Sequence, residues 1–503
     1  MQATNNALLR QLRAQSRRSL ATVAKPAQHG QPFVASHPHL ISEKDVTPGI
    51  SAAEYDARRK KLMDMLPEAS VVISVATPVK YMSNSQFLKY PNMFISDPNA
   101  RRYLASDFWY LTGFEEPDSA LIMEKTSTSK GYRMTLFSAG KDLAKEKWDG
   151  ARTSFQDLEK IFGAHDAAPI SSFSSRLRSI LGSYSNVYVD VPNSTRRSTT
   201  NSILKTLTAS LRGTTSLNDI PVSKRLPLAP EVAKLRHIKS DAERKIMHEA
   251  ATISARAHAK TMRFAEPGKC ESHLAAHFEY MCALNGSQRP AYVPVVASGP
   301  NALIIHYTSN NQIIGENELV LIDAGCEYNG YASDITRTFP ASGSFTEPQK
   351  DIYTAVLNVQ RKLVSYCFEE ANVSMQELHR LSAQMLKEEL NQIGFQLHGT
   401  SASDLERVLY PHYLSHPIGI DLHESTYFDR NAPLKEGNVI TIEPGIYVPP
   451  TANFPKHYHN IGIRIEDEVL VGKRHPVVLS SNAPKEIKDI EGACQGKLDF
   501  QPL

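Results

Sequence analysis

Two aspartates in the C-terminal half of this 503-residue chain stand where an apolar segment ends or begins. Asp323 closes the run Leu-Val-Leu-Ile-Asp, and Asp334 follows eleven residues later in Ser-Asp-Ile-Thr-Arg-Thr-Phe. Turn-forming residues lie between them, namely Gly325, Asn329 and Gly330. An apolar run, a turn and a second run are typical of a β-hairpin, so the spacing predicts two strands that bring both carboxylates together.

Two glutamates and two histidines further along the chain occupy similar positions. Glu443 follows the run Val-Ile-Thr-Ile, and Glu466 ends the alternating segment Ile-Gly-Ile-Arg-Ile-Glu. The alternation predicts a strand with three isoleucines on one face and with Arg464 and Glu466 on the other, above a polar pocket. His416 and His423 stand at the two ends of a short loop, Pro-Ile-Gly-Ile-Asp-Leu.

These residue types suit a dinuclear metal site. Four carboxylates within a few ångströms cannot all stay ionised unaided, because like charges raise one another's pKa. Two divalent cations would neutralise them, and one imidazole would complete the second ion's ligands. Oxygen-rich ligation with a single histidine favours Mn²⁺, with Fe²⁺, Co²⁺ and Zn²⁺ as alternatives. Such a site lowers the pKa of a bridging water and polarises a carbonyl, so the set predicts hydrolytic chemistry.

Taken singly, each of these residues has an ordinary structural explanation as a turn acid, an ion-pair partner, a solvated acid or a core histidine. Asp334, for example, could pair with Arg337, and His416 could be a satisfied core histidine. The prediction therefore depends on the ordered set of five.

Long helices must accompany these strands. Capping boxes begin at Ser240, Thr346 and Ser374, each with a glutamate or glutamine three residues later. They predict three helices, the first of which runs to about Phe264, and Gly394 is a suitable end for the third.

The N-terminal half alternates short β-like runs with helical stretches such as residues 154–162. The runs predicted as strands are 71–75, 108–111, 120–123, 132–137 and 187–191. Three prolines within 221–230 predict a linker without regular structure. We therefore expect a leader at 1–42, an α/β domain at 43–225, a catalytic domain at 226–490 and a tail at 491–503.

The leader is basic and contains no acid before Glu43; its charged residues are Arg10, Arg13, Arg17, Arg18 and Lys25. Arginine, serine and alanine on an amphipathic segment are typical of a mitochondrial transit peptide. A disordered basic tail and a nucleic-acid-binding arm are the alternatives. The tetrapeptide Arg-Ser-Leu-Ala at 18–21 resembles leaders that are cut twice in the matrix, which would expose Leu20 and then Ala21. We expect a mitochondrial protein in the matrix or associated with the inner membrane.

Composition excludes several other classes. The chain is 41% hydrophobic and 22% charged, as ordinary globular proteins are. Its apolar runs are far shorter than the roughly 18 residues of a membrane-spanning helix. Without the leader the chain is slightly acidic, so we expect no nucleic-acid partner. Five scattered cysteines with no Cys-x-x-Cys pair argue against a disulfide framework and a zinc–thiolate site.

The ordered motifs closely resemble the pita-bread metallopeptidases of the aminopeptidase P branch, over about residues 235–475. Segments 47–50 (Thr-Pro-Gly-Ile) and 107–114 (Asp-Phe-Trp-Tyr-Leu-Thr-Gly-Phe) resemble the N-terminal domain of that branch. The resemblance implies an α/β (α+β) protein in which a creatinase-like N-terminal domain precedes a pita-bread catalytic domain. Residues 83–106 look longer than the corresponding segment of the family.

The resemblance also implies a role for each site residue. The metal ligands would be Asp323, Asp334, His416, Glu443 and Glu466. Asp334 and Glu466 would bridge both ions, and Glu443 would also be the general base for the attacking hydroxide. The supporting catalytic residues would be His306, His423, Tyr447 and Arg464.

The resemblance is greatest to mitochondrial intermediate-cleaving aminopeptidases, which trim one residue from imported precursor proteins after the main processing peptidase. The substrates implied are peptide or protein N-termini, and a homodimer is expected. Two enzymatic alternatives stay open, an aminopeptidase restricted to Xaa-Pro bonds and a prolidase limited to dipeptides. A non-catalytic pita-bread module that binds peptides is the alternative of another class.

Overall fold

The computed structural model describes residues 28–76, 80–82, 86–88, 102–189, 220–397 and 405–498. It divides into two compact units, of which the first ends at Leu235 and the second begins at Arg236. Residues 1–27 of the expected leader and most of segment 83–106 lie outside the described residues. Ordered packing begins before residue 43, because the Gln31 amide donates to the Gly113 carbonyl at 2.9 Å. The proposed domain limits remain predictions.

The N-terminal unit contains a six-stranded mixed sheet. The described residues of this unit form ten strands: β1 Asp45–Thr47, β2 Ile50–Ser51, β3 Ser70–Val75, β4 Lys80–Met82, β5 Gln86–Leu88, β6 Ala120–Lys125, β7 Tyr132–Ser138, β8 Asp166–Pro169, β9 Asn186–Val189 and β10 Arg225–Pro227. The large sheet has the order β10-β9-β3-β6-β7-β8. Strand β3 is parallel to β9 and antiparallel to β6. The strands predicted at 71–75, 120–123 and 132–137 are confirmed.

Among the described residues of this part of the chain there are six helices: α1 Ala52–Met65, α2 Arg102–Thr112, α3 Leu143–Asp149, α4 Phe155–Phe162, α5 Phe173–Ile180 and α6 Ala229–Arg236. The strand predicted at 108–111 is wrong, because these residues form the end of α2. All four side chains, Phe-Trp-Tyr-Leu, are buried. A short apolar run does not distinguish a buried strand from a buried helix.

The irregular linker predicted at 221–230 is also wrong. Residues 225–227 form the edge strand β10, which runs parallel to β9. Pro227 is tolerated there because an edge strand leaves one row of amides unpaired. Pro230 lies in the first turn of α6, where a helix does not need the missing N–H.

The C-terminal unit carries eleven short strands in four small sheets of the described structure. They are β11 Arg289–Pro290, β12 Val295–Ser298, β13 Leu319–Asp323, β14 Cys326–Tyr328, β15 Tyr331–Ala332, β16 Thr336–Pro340, β17 Val439–Ile442, β18 Gly445–Tyr447, β19 Gly462–Arg464, β20 Asp467–Leu470 and β21 Val477–Val478. The sheets are β12-β13-β16, β11-β14-β15, β17-β20-β21 and β18-β19. All their pairings are antiparallel.

Five helices of the described residues accompany these sheets: α7 Asp241–Phe264, α8 Glu271–Leu284, α9 Glu347–Val364, α10 Met375–Gln392 and α11 Ile487–Cys494. The three predicted capping boxes are confirmed at the starts of α7, α9 and α10. Gly394 follows α10 with a φ of 100°, a backbone conformation that glycine tolerates best. Apolar faces of helices and strands share one large core that extends to Ile490 in α11.

A fully buried ion pair links β16, which contains Arg337, to β20, which begins at Asp467. The Arg337 guanidinium donates to Asp467 at 2.7 Å, and neither side chain is exposed. Asp467 also accepts hydrogen bonds from Ser480, Gln360 and Lys485. Burial raises the pKa of Asp467, but Arg337 and Lys485 outweigh it and hold the pKa well below its ordinary value. The carboxylate therefore stabilises the fold above about pH 4, and this contribution is lost as the pH falls further.

Replacing Asp467 with Asn should lower the free energy of unfolding by about 3–5 kcal/mol, because Arg337 would keep its charge without its counter-ion. Denaturant titration of the metal-loaded protein measures the change. Arg361→Gln is a matched control, because Arg361 and Glu486 form a pair whose side chains are 47% and 34% exposed. The control should lose less than about 1 kcal/mol. Equal small losses in both variants would contradict the prediction.

Candidate metal-dependent active site

The predicted hairpin positions the two aspartates. Strand β13 pairs with β16 so that Asp323 lies opposite Thr336, and β14 and β15 form the turn between them. The chain can fold back this tightly because residue 325 is glycine. A Cβ at Gly325 would lie 1.8 Å from the Ser333 carbonyl oxygen. This explains the Asp-Ala-Gly sequence at the end of β13.

The two glutamates enter the site from the connections between two sheets, β17-β20-β21 and β18-β19. Glu443 lies between β17 and β18, and its backbone N–H donates to the Leu414 carbonyl at 3.0 Å. Glu466 follows β19, and its N–H donates to the Thr336 carbonyl at 3.1 Å. The predicted alternation is confirmed here, because Ile463 and Ile465 lie in the core while Arg464 faces the polar cluster.

The structure brings the predicted ligand set into one neighbourhood. Single ligand atoms of Asp334, His416 and Glu466 all lie within 4.8 Å of one another. His416 Nε2 lies 3.3 Å from Asp334 Oδ2 and 3.7 Å from Glu443 Oε1. Asp323 joins the cluster through Tyr292, whose hydroxyl lies 2.5 Å from an oxygen of each aspartate.

Electrostatics within the cluster favour a bound cation. Burial, followed by the charge of Glu466, raises the pKa of Glu443 well above its ordinary value. Burial and neighbouring aspartates do the same for Glu466, and burial with Asp323 does so for Asp334. Although burial also raises the pKa of Asp323, the adjacent Arg464 outweighs it and lowers that pKa. The three raised pKa values show that these neighbouring carboxylates repel one another when ionised. Bound divalent cations would relieve that repulsion.

The imidazole of His416 presents a suitable ligand atom. Burial lowers the pKa of His416 to about 4, so the ring is neutral near pH 7. Its Nδ1 lies 3.2 Å from the Pro417 carbonyl, which assigns the proton to Nδ1 and leaves the Nε2 lone pair free. Glu466 Oε1 is likewise buried without a hydrogen-bond partner among the described residues. The donor set therefore fits divalent metal ions.

Arg464 organises the cluster from one side. Its guanidinium donates to Asp323 Oδ2 at 2.6 Å, to the Tyr447 hydroxyl at 2.7 Å and to Thr336 Oγ1 at 3.1 Å. Thr336 in turn donates to Glu466 Oε2 at 2.7 Å. This network fixes the orientation of the Asp323 and Glu466 carboxylates, which lie far apart in the sequence.

The ordinary explanations of these residues do not hold in the structure. Arg337 pairs with Asp467 and not with Asp334. The acidic run at 466–468 is fully buried rather than solvated. Asp323 ends a strand inside the cluster rather than a surface turn.

Two residues of the site, Tyr292 and His412, were not predicted from the sequence. Tyr292 contacts both aspartates, and His412 lies 3.0 Å from the Tyr447 hydroxyl and 3.8 Å from Glu443 Oε2. Burial lowers the pKa of His412 to about 3, so this ring is neutral as well. The spacing His-x-x-x-His before His416 could have pointed to His412. Nothing in the segment around Tyr292 distinguishes it from an ordinary aromatic residue.

Replacing Tyr292 with Phe should weaken metal binding by about 10- to 100-fold, because partners of ligating carboxylates contribute that much to affinity. A competition titration against a chelator measures the change. Tyr280→Phe on α8 is the control, since Tyr280 is 57% exposed. Unchanged metal affinity in the Tyr292 variant would contradict the prediction.

The other two predicted histidines lie at the edge of the cluster. The His423 ring packs edge-on against His416 with 4.3 Å between ring centroids. His306 is exposed on a loop after β12. Its neighbours Ile305 and Tyr307 pack in the same small cluster as Tyr447. His306 therefore lies beside the site, outside the group of carboxylates.

No helix of the described residues is long and apolar enough to cross a membrane. An acidic cluster with one neutral imidazole, built on antiparallel strands inside a helical shell, is typical of a metal-dependent hydrolase.

Comparison with known proteins agrees with this class. The model of metallopeptidase family M24 matches residues 245–473, and that of the aminopeptidase P N-terminal domain matches residues 55–188. The chain belongs to metallopeptidase family M24 and is a metal-dependent peptidase.

Similar proteins cover nearly all of the chain. Intermediate cleaving peptidase 55 of Saccharomyces cerevisiae is 37% identical over 94% of this chain and 90% of its own length. A crystal structure of Icp55 from that yeast has a TM-score of 0.77 at 35% identity and covers 90% of this chain and 100% of the solved chain. The protein named intermediate cleaving peptidase 55, mitochondrial, of Arabidopsis thaliana is 36% identical over 92% of this chain and 87% of its own length. Human Xaa-Pro aminopeptidase 3 is 34% identical, with coverages of 92% and 90%.

These similarities confirm several predictions. The fold is an α/β N-terminal domain followed by a pita-bread catalytic domain. The family confirms a metallopeptidase, and the plant relative's name agrees with the predicted mitochondrial location. The number and identity of the ions remain predictions.

Proposed function

We propose that this peptidase removes one N-terminal residue from proteins imported into mitochondria, after the main processing peptidase has cut them. The observation that carries the proposal is the meeting of carboxylates with a neutral imidazole in a chain similar to intermediate cleaving peptidase 55 over nearly its whole length. The basic leader, which contains no acidic residue, supports import of this peptidase into mitochondria as well.

In the proposed site, two divalent ions, Mn²⁺ for preference, are held by five side chains. Asp323, Asp334, His416, Glu443 and Glu466 would hold them. The carboxylate-rich donor set with a single imidazole supports Mn²⁺ over metals that prefer thiolates. Metal analysis of the purified chain, followed by reconstitution with Mn²⁺, Fe²⁺, Co²⁺ and Zn²⁺, tests this assignment.

The chain's own residues bind the substrate and move the proton. When bound, the ions polarise the scissile carbonyl and lower the pKa of the attacking water. A carboxylate oxygen of Glu443 takes the water proton and passes it to the leaving amine. His306 contacts the scissile region, and His423 contacts the residue that follows it. Tyr447 and Arg464 keep the carboxylates ordered, as their hydrogen bonds indicate.

A cleavage assay separates this proposal from its nearest alternative. The purified full chain with Mn²⁺ is incubated with one peptide that begins Tyr-Ser and with another that begins Tyr-Pro, matched in all other residues. We expect release of tyrosine from the first peptide. Cleavage of the second alone would instead indicate an Xaa-Pro aminopeptidase, which the similarity to human Xaa-Pro aminopeptidase 3 keeps open. Cleavage of the dipeptide Tyr-Pro alone would indicate a prolidase.

The processing role is tested on mitochondrial proteins. N-terminal profiling compares cells that express the wild-type chain with cells that express Glu443→Ala. We expect proteins that retain one additional bulky residue at their N-termini in the variant. An unchanged profile would contradict the processing role.

A homodimer is the proposed assembly. The described part of the N-terminal unit supports it with two exposed apolar side chains on the short helix α3, Leu143 at 80% and Trp148 at 82% exposure. Large exposed apolar side chains close together are typical of interaction surfaces. Light scattering of the wild-type chain and of Trp148→Ser measures the mass. A monomeric wild-type chain would contradict the proposal.

A further inference from the structure

Glu271 is a buried carboxylate outside the group of metal ligands, at the first position of α8. It accepts five hydrogen bonds. Its Oε1 receives the Ser298 N–H and hydroxyl, both at 2.8 Å, and the Asn301 amide at 3.0 Å. Its Oε2 receives the Tyr307 hydroxyl at 2.8 Å and the Gln312 N–H at 3.0 Å.

All five donors belong to the segment 298–312, which consists of the last residue of β12 and the loop that carries His306. They lie at its start, middle and end, so one carboxylate joins parts of the loop that would otherwise move independently. Tyr307, the neighbour of His306 in sequence, is buried, whereas His306 itself is exposed. An exposed side chain next to a buried anchor can keep a fixed position while it stays open to a ligand.

The five bonds keep Glu271 charged. Burial raises its pKa, but the hydrogen bonds from Ser298, Asn301 and Gln312 outweigh burial and lower the pKa below its ordinary value. The donors named are uncharged groups. A buried anion is costly unless its hydrogen-bond partners are already in position. The arrangement therefore favours a single conformation of the loop.

The same loop packs against the strand that carries Arg464. A Cβ on Gly462 would lie 2.6 Å from the Ala302 carbonyl oxygen, so the loop backbone approaches β19 as closely as glycine permits. Leu303 and Ile305 of the same loop pack in the cluster that contains Tyr447 and Leu321. Glu271 thus holds the loop against two elements that also position metal-site residues.

We propose that Glu271 is a positioning residue that holds His306 in place for the peptidase reaction. The inference rests on the proposed role of His306. A displacement of about 1 Å in a reacting group can cost about 100-fold in rate. In Glu271→Gln, an amide N–H₂ would face donors where an oxygen now accepts from them, so the loop would lose part of its anchor.

The test uses the full-length, metal-loaded chain and the Tyr-Ser peptide. We expect Glu271→Gln to lower kcat by about 10- to 100-fold and to change KM by less than about threefold. Metal content should stay at the wild-type level. Hydrogen exchange of amides 298–312 should become about tenfold faster. Glu279→Gln, an exposed site on the same helix, should change none of these quantities.

A double-mutant cycle with His306→Ala separates positioning from general destabilisation. If Glu271 acts through His306, adding Glu271→Gln to His306→Ala should lower kcat by no more than about twofold. Tyr307→Phe, which removes one of the five donors, should reproduce a smaller part of the effect. A fall in the His306→Ala background equal to that in the wild type would overturn the inference. Unchanged exchange of the loop amides would also overturn it.

The experiments distinguish failure of the proposed function from failure of the inference about Glu271. A wild-type chain that cleaves no peptide would defeat the proposed function. Wild-type cleavage with additive effects, or with full activity in His306→Ala, would defeat only the inference about Glu271.

Discussion

Glu443→Gln should lower kcat/KM for the Tyr-Ser peptide by about 10³-fold and leave the protein folded. The substitution keeps the size and shape of the side chain and one oxygen that can act as a ligand. It removes the group that takes up a proton. A large fall in activity with little change in structure is therefore the expected result.

The position of Glu443 explains why the loss should be so large. Its two oxygens lie 3.7 Å from His416 Nε2 and 3.8 Å from His412 Nδ1. Both rings are neutral near pH 7, with pKa values lowered by burial to about 4 and about 3. Neither ring is poised to replace the carboxylate as a base near neutral pH, because its pKa is far below the working pH.

Glu436→Gln is a matched control, because Glu436 is an exposed glutamate just before β17, on the same segment of chain. It should retain full activity. Metal content of both variants is measured in parallel, so that loss of metal is not mistaken for loss of the base. Activity of Glu443→Gln within tenfold of the wild type would contradict the role of Glu443.

The stability of the protein after a chelator has removed its metal gives a second test of the Glu443→Gln variant. The pKa of Glu443 is raised in the folded state, by burial and then by Glu466. Folding without metal therefore takes up a proton above the ordinary pKa of 4.5, and the folded state loses stability as the pH rises from there towards the folded pKa. In Glu443→Gln this loss should be smaller by up to about 1.4 kcal/mol per pH unit. Thermal denaturation at several pH values measures it, and equal slopes would contradict the assignment.

The strands and long helices of the C-terminal unit were predictable because their signals are local. A capping box such as that at Ser240 specifies a helix start within four residues. The Asp323 hairpin was predictable for the same reason, since an apolar run, a turn and a second run lie within about twenty residues. Alternation around Glu466 identified both faces of β19 from six residues.

Contacts between segments that are far apart in the sequence were harder to predict. Nothing between Asp334 and Glu466 in the sequence indicates that their carboxylates come within a few ångströms. The residue types suggested a shared metal site, and the resemblance to a family assigned both carboxylates to it. Tyr292 illustrates the same limit, because its importance lies in a contact with two aspartates 31 and 42 residues away.

The wrong predictions in the N-terminal unit have a common cause. Residues 108–111 have strand-like composition but complete α2, since burial on all sides suits either structure. Residues 225–227 become a strand only because β9 offers an edge to pair with. In both places tertiary packing, which no short window of sequence shows, decides between alternatives of similar local energy.

Arg464→Met should lower kcat/KM by about 10³-fold, a loss comparable with that from removing a preorganised electrostatic group. Methionine fills a similar volume without charge. Its apolar side chain would leave Asp323 and the Tyr447 hydroxyl without the donors at 2.6 Å and 2.7 Å. Asp323 would then face three other carboxylates without its guanidinium partner.

The pH dependence of metal binding should change in a defined direction. In the wild type, burial raises the pKa of Asp323, and Arg464 is the main group that lowers it below the ordinary value. Removing Arg464 should therefore raise this pKa, so that Asp323 holds its proton at a higher pH. Metal must displace that proton before Asp323 can ligate. The acid limb of metal affinity should move to higher pH in Arg464→Met, as measured by chelator competition from pH 5 to pH 9.

Arg464→Lys separates charge from geometry. Lysine keeps the positive charge but cannot present the planar fork that reaches Asp323, Tyr447 and Thr336 together. If charge alone sets the pKa of Asp323, the lysine variant should show the wild-type pH dependence while its rate still falls, because the three acceptors are no longer ordered together. If both variants bind metal with the wild-type pH profile, Arg464 does not control the protonation of Asp323, and the electrostatic account of this cluster is wrong.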